Sequence, residues 1–263
     1  MEPTETAVPY TYAEIAATID HTFLKPDGTD DQLLEAIDLA LEHRVGVLLV
    51  RPTDVEVAVR QLAGSGVEVV SVVGYPHGAT TTASKLYETR DLLRRGCREI
   101  EAVIHLGRLA SRQFQYIENE LLQMAEACHE SGGKLRVMLE ASLLSEEQKL
   151  VACKIAKRSS VDCLTASTGS AMLGSTMDDV RLLLRKCRPY VQVKVGQGIE
   201  NLDQLLEMRA LGVARVGTTR TATILTELSR RLVPPPSVVE PVVEPVVQPV
   251  VESGDVLSGD VSS

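Results

Sequence analysis

Lys194 stands between Val193 and Val195 on a short β-branched run, just ahead of Gly196. A lysine on the inward side of such a strand is rarely there for packing, because an unpaired buried ammonium is costly. Its nearest tasks are imine formation, proton transfer or binding of an anion. To attack a carbonyl it must first lose a proton. With an ordinary pKa of ~10.4, it needs burial or a nearby cation to bring that about. Arg136, on the inward face two strands earlier, is the expected cation. Glu101 and Glu140 would then move protons, and Asp20 would order the water or hydroxyl that receives them. His105 and Thr165, at other strand ends, complete the set of candidates. Each has a plain structural reading as well: Glu101 and Arg136 as an ion pair, His105 as a loop residue.

Glycine and hydroxyl turns give a second group. Gly196 and Gly198 follow the Lys194 strand, and Gly217-Thr218-Thr219 follows the last strand directly before a helix. Two such loops and a helix N-terminus can hold a phosphate by backbone N–H groups. Ser167-Thr168-Gly169 closes the strand at 161–165 and suits a polar rim.

These residues must be positioned by a regular alternation over residues 10–232. Short β-rich runs are expected at 19–23, 46–50, 67–73, 98–104, 134–140, 161–165, 190–195 and 213–217, with amphipathic stretches between them. The clearest helix is 113–131, where Phe114, Ile117, Leu121, Met124, Ala125 and Cys128 recur at three- and four-residue spacing. Strand followed by helix, repeated, implies parallel pairing with right-handed crossovers, and eight strands close a barrel. An open doubly wound sheet would want an early Gly-x-Gly-x-x-Gly turn, which is absent, and strands apolar on both faces. The strands here are two-faced instead. Ile100, Ala102 and Ile104 oppose Glu99, Glu101, Val103 and His105; Leu135, Val137 and Leu139 oppose Arg136, Met138 and Glu140; Val191, Val193 and Val195 oppose Gln192 and Lys194. The expected fold is therefore α/β, a single-domain TIM (β/α)8 barrel with the polar side inward.

Composition bounds the rest. The chain has 263 residues and a net charge of -9, with no Trp and 3% aromatics, which argues against a nucleic-acid binder. No apolar run is long enough to span a membrane, and the acidic N-terminus is unlike a signal peptide, so a soluble cytoplasmic protein is expected. Five scattered cysteines without a C-x-x-C spacing suggest neither a disulfide framework nor a zinc site. Residues 233–263 carry a Val-Val-Glu-Pro repeat, which cannot complete a helix or a central strand and is expected to form a flexible, polyproline-like tail.

In order along the chain, these motifs resemble the deoxyribose-phosphate aldolase family. Ile19-Asp20-His21-Thr22 looks like its opening motif, and Val73-Gly74-Tyr75-Pro76-His77-Gly78 resembles its Gly-Phe-Pro-x-Gly loop. Glu99-Ile100-Glu101 stands at its Glu-Ile-Asp, and Val137 to Glu140 at its aliphatic run ending in Glu. Ser167-Thr168-Gly169 matches its Ser-Thr-Gly, Lys194 its second lysine, and Arg215-Val216-Gly217-Thr218 its final strand and loop. The resemblance implies a barrel and a class I aldolase that forms a lysine imine and needs no metal or other cofactor. Its Schiff-base lysine, however, precedes Thr-Ser-Thr-Gly directly, where this chain has Thr165. A hydroxyl cannot form an iminium, and losing the nucleophile of a coupled catalytic unit costs on the order of a million-fold. Glu101 replaces the family's aspartate, His105 the asparagine after it, and Arg220-Thr221 the Ser-Gly of the phosphate loop.

Three readings follow from this pattern. The first is a diverged, metal-free carbon–carbon lyase acting on a small carbonyl or sugar-phosphate-like compound, with Lys194 as the amine. The second is an inactive aldolase fold kept for binding or scaffolding. The third is an acid–base enzyme that enolises or cyclises a larger metabolite through Glu101, His105 and Lys194. Expected partners are a small carbonyl substrate and neither nucleic acid nor membrane, with a homodimer as the assembly to test.

Overall fold

The computed structural model describes residues 10–168, 175–196 and 198–232. Within them, strands β1 (Ile19–Phe23), β2 (Val47–Val50), β3 (Glu68–Val73), β4 (Glu99–Val103), β5 (Lys134–Met138), β6 (Cys163–Thr165), β7 (Gln192–Val195) and β8 (Arg215–Thr218) close into a barrel in sequence order. Every neighbouring pair is parallel. The ring closes where Ile19, Asp20 and His21 of β1 pair with Val216, Gly217 and Thr218 of β8. The TIM-barrel architecture expected from the alternation is thus the observed one. The proposed tail, 233–263, lies outside the described residues.

Helices α1 (Tyr12–Ala16), α2 (Asp30–His43), α3 (Val55–Gln61), α4 (Thr82–Arg94), α5 (Leu106–Ala110), α6 (Phe114–Glu130), α7 (Glu146–Arg158), α8 (Met177–Cys187), α9 (Leu202–Leu211) and α10 (Thr221–Leu232) lie around the strands. Several begin where a hydroxyl accepts from the third backbone N–H of the helix while a Gln or Asp side chain reaches back. Thr29, Ser145 and Thr176 do this for α2, α7 and α8, satisfying donors that a helix start leaves open. The expected helix at 113–131 is α6, and its stripe Ile117, Leu121, Met124, Ala125 and Cys128 is buried.

Strand alternation divides the interior into two layers. The outward residues Ile100, Ala102, Leu135, Val137, Leu164, Val193 and Val195 join the helices in one large apolar core. Inside the barrel, Val47, Leu49, Val70, Val72, Val103 and Met138 form a second, smaller cluster. The inner face is therefore apolar on β2 and β3 and charged on much of the remainder.

Among the described residues, the helix layer outside the barrel holds one fully buried ion pair. Lys85 of α4 donates to Glu120 of α6 at 2.7 Å and to the Val103 carbonyl of β4 at 2.9 Å, and Thr82 donates to the other Glu120 oxygen at 3.0 Å. This pins two helices to one strand. Lys85→Met leaves Glu120 uncompensated, so a loss of about 3–5 kcal/mol is expected. It would be read as a lower urea midpoint at unchanged m-value, with Lys85→Met combined with Glu120→Leu recovering most of it.

Candidate active site

The inward residues of β1, β4, β5, β6, β7 and β8 meet in one buried network. Lys194 Nζ donates to Glu101 at 2.6 Å and lies 2.8 Å from Asp20 Oδ2. Arg136 reaches across the barrel to Asp20 and binds Glu99 on the neighbouring strand. Arg215 Nε donates to Asp20 Oδ1 at 2.5 Å. Thr165 donates its hydroxyl to the remaining oxygen of Glu101. Asp20 and Glu101 are wholly buried, and Lys194 is 1% exposed. Three carboxylates, Asp20, Glu99 and Glu101, thus face three cations, Arg136, Lys194 and Arg215.

The electrostatics follow from this pairing. Burial alone would raise the Asp20 carboxyl, but Arg136, Lys194 and Arg215 outweigh it and hold the group well below the usual carboxylate range. Burial would likewise depress Lys194, and Arg136 pushes the same way, yet Asp20 and Glu101 outweigh both and raise it. This corrects the expectation of a lysine made nucleophilic by burial and by Arg136. The two carboxylates thus favour the protonated ammonium, the form without a lone pair. Arg136, the expected cation beside the lysine, is occupied by Glu99 and Asp20.

Above the network, at the C-terminal mouth of the barrel, opens a cavity of about 760 Å³. Gly196, Gly198, Gly217, Thr218, Thr219 and Thr168 line it, as the glycine and hydroxyl turns predict. Gly196 is required there, since a Cβ would lie 2.4 Å from the Ser167 carbonyl. Thr218 ties the two loops together, donating to the Ile199 carbonyl at 2.7 Å and accepting from the Arg220 N–H at 2.9 Å. Lys25 and Arg220 add positive charge, and Glu35 and Glu200 negative charge.

The other candidates separate from the cavity. Asp20, Glu101, Glu140, Thr165, Ser167 and Lys194 are not among its lining residues. Glu140, left-handed at φ 50°, ψ 61°, accepts from Ser167 Oγ and from the Thr168 N–H, both at 3.0 Å, and from the Thr168 hydroxyl. It therefore shapes the exit of β6. His105 is corrected in place: it begins α5, accepts from the Arg108 N–H at 3.3 Å and meets Tyr116 edge-on at 6.1 Å, turned into the helix layer. Helix initiation overrides the strand parity that would have sent it inward. Gly169 lies outside the described residues.

Two functional positions escaped the sequence reading. Arg215, the third cation on Asp20, begins β8, and its parity with Gly217 was the available signal. His21 lines the cavity, and burial, with a smaller contribution from His43, holds its pKa down at about 4. Among the described residues no group of three or more His, Cys, Asp or Glu is arranged to hold a metal ion, and no helix is long and apolar enough to cross a membrane.

A closed parallel barrel carrying a polar C-terminal mouth places the chain among the (β/α)8 enzymes and their relatives. No family model matches it. It is 36% identical over 223 residues to the deoxyribose-phosphate aldolase of Rhodopirellula baltica, covering 85% of this chain and 92% of that one. It is also 36% identical over 214 residues to the deoxyribose-phosphate aldolase of Thermococcus kodakarensis, covering 81% and 96%. A Coccidioides immitis structure described as a deoxyribose-phosphate aldolase superposes with a TM-score of 0.80 at 26% identity, covering 84% of this chain and 87% of that one. The chain belongs to the deoxyribose-phosphate aldolase family, whose named members are lyases.

The buried network sets an acid limit on stability. A carboxyl depressed in the native state contributes stability in full above its unfolded pKa of about 4, and that stability is lost as the pH falls below it. Asp20→Asn is expected to lower stability at pH 7 by about 3–5 kcal/mol and to flatten the acid limb of a stability–pH curve measured by urea titration.

Proposed function

We propose that this protein is a non-cleaving relative of the aldolases, holding a small phosphorylated carbonyl or sugar-phosphate-like compound at the barrel mouth without forming an imine. One observation carries the reading. The amine that remains, Lys194, is buried and bonded to both Asp20 and Glu101, while β6 ends in Thr165 where an imine needs a lysine. The network can stabilise its own charges, but it offers the cavity neither a free amine nor a free carboxylate. Ligand binding is supported separately by the two glycine loops and the start of α10, where backbone N–H groups and the helix dipole favour an anion. The acid–base alternative through Glu101, His105 and Lys194 has less support, since none of the three lines that cavity.

A second reading, a carbon–carbon lyase using Lys194, is favoured by 36% identity over 223 residues to a named aldolase. It requires Asp20 and Glu101 to release the ammonium and the proton to leave.

Borohydride trapping separates the two. With 2-deoxyribose 5-phosphate or acetaldehyde present, the native chain is expected to gain no mass on the peptide containing Lys194, and Thr165→Lys to acquire a reduced adduct at position 165. A native adduct on Lys194 would establish the lyase instead. Failure of 2-deoxyribose 5-phosphate and related sugar phosphates to bind in calorimetry would remove the binding reading.

A further inference from the structure

His21 is placed by the same alternation that turns Asp20 inward. One residue further along β1, its side chain leaves the barrel interior and enters the layer between α2 and α10. It is 6% exposed, and that remnant faces the cavity. Its Nδ1 lies 2.9 Å from the hydroxyl of Thr221, the first residue of α10. Its Nε2 has no hydrogen-bond partner among the described residues. The ring is thus fixed at one nitrogen and open at the other.

The surroundings keep it uncharged. Burial and His43 lower its pKa to about 4, and the positive end of α10 also disfavours an imidazolium. A neutral imidazole pinned at Nδ1 presents a single directed donor or acceptor at Nε2, according to which way the Thr221 hydroxyl points.

Around His21 the cavity extends sideways from the mouth. Phe23 of β1 and Gln32, Ala36 and Leu39 of α2 line this part; the three α2 residues are spaced to share one helix face. The whole cavity, at about 760 Å³, falls in the range of sites that enclose drug-sized ligands, roughly 300–1,000 Å³. The residues of this lateral part are distinct from Gly196, Gly198 and Gly217 of the glycine loops. An aromatic side chain already stacked under the Arg51 guanidinium, two aliphatic side chains and one directed polar atom suit a ring with a heteroatom at its edge.

We propose that His21 is the specificity-determining residue of this cavity, hydrogen-bonding through Nε2 to a ring substituent of the ligand, which is therefore a sugar phosphate carrying a ring and not a bare pentose phosphate. This rests on the cavity binding a sugar phosphate at all, as proposed above, and the test keeps the two apart.

The full-length protein is titrated by calorimetry with inorganic phosphate, 2-deoxyribose 5-phosphate and 2′-deoxyadenosine 5′-monophosphate, which adds a ring to the same sugar phosphate. In parallel, the ¹⁵N resonances of labelled histidines are followed. The nucleotide is expected to bind at least about tenfold more tightly than the pentose phosphate and to shift the His21 Nε2 resonance. His21→Phe should abolish that preference by weakening the nucleotide more than the pentose phosphate, and His21→Gln, which keeps a polar end, should retain part of it. Equal affinities with an unmoved His21 resonance would overturn the inference and leave the binding reading intact. So would a His21→Phe variant that weakens both ligands alike. If no sugar phosphate binds, both fall. Should His21→Phe fail to fold, the native resonance and His21→Gln still decide.

Discussion

The ammonium of Lys194 between the carboxylates of Asp20 and Glu101 is the contact on which the interior of this barrel depends. Removing several charges from water costs several kcal/mol per ion, and only close, well-oriented opposite charges offset that. Here each charge has a partner on another strand: Asp20 on β1 meets Lys194 on β7, Arg136 on β5 and Arg215 on β8, while Glu101 on β4 meets Lys194. The network therefore specifies how strands distant in sequence face one another across the ring. It also engages the Lys194 ammonium from two sides.

The chain matches deoxyribose-phosphate aldolases over most of its length, and the mouth loops, the closing strand and the Glu140 clamp on the β6 exit are all in place. One departure lies on β6, where the Thr165 hydroxyl completes the hydrogen bonding of Glu101. A short neutral side chain in that position joins the network as a donor and leaves Lys194 with both carboxylates.

Much of the barrel was legible because its periodicities are local. The strand positions read from β-rich runs all correspond to observed strands, with ends trimmed by one or two residues or, at β8, extended by one. The two-faced pattern of β4, β5 and β7 correctly indicated a charged interior. The ion pairing of Lys194 was not legible, because its partners arrive from β1 and β4, and no spacing along the chain shows that Asp20 and Glu101 converge on one nitrogen. His105 was misplaced because strand parity stops being a guide where the chain turns into a helix. His21 was passed over for a related reason: it sits in the same short motif as Asp20 but on the opposite face of the strand, where only the packing of α2 and α10 gives it a cavity to face.

The apolar half of the barrel interior has an effect on the charged half. Val47, Leu49, Val70 and Val72 hold no hydrogen-bonding side chain, so they add no dipole that could screen the ion pairs, and a low local dielectric strengthens the attraction. Widening that wall enough to admit a single water would soften every pair in the ring at once. The tightness with which Lys194 is gripped is therefore governed in part by side chains that carry no charge.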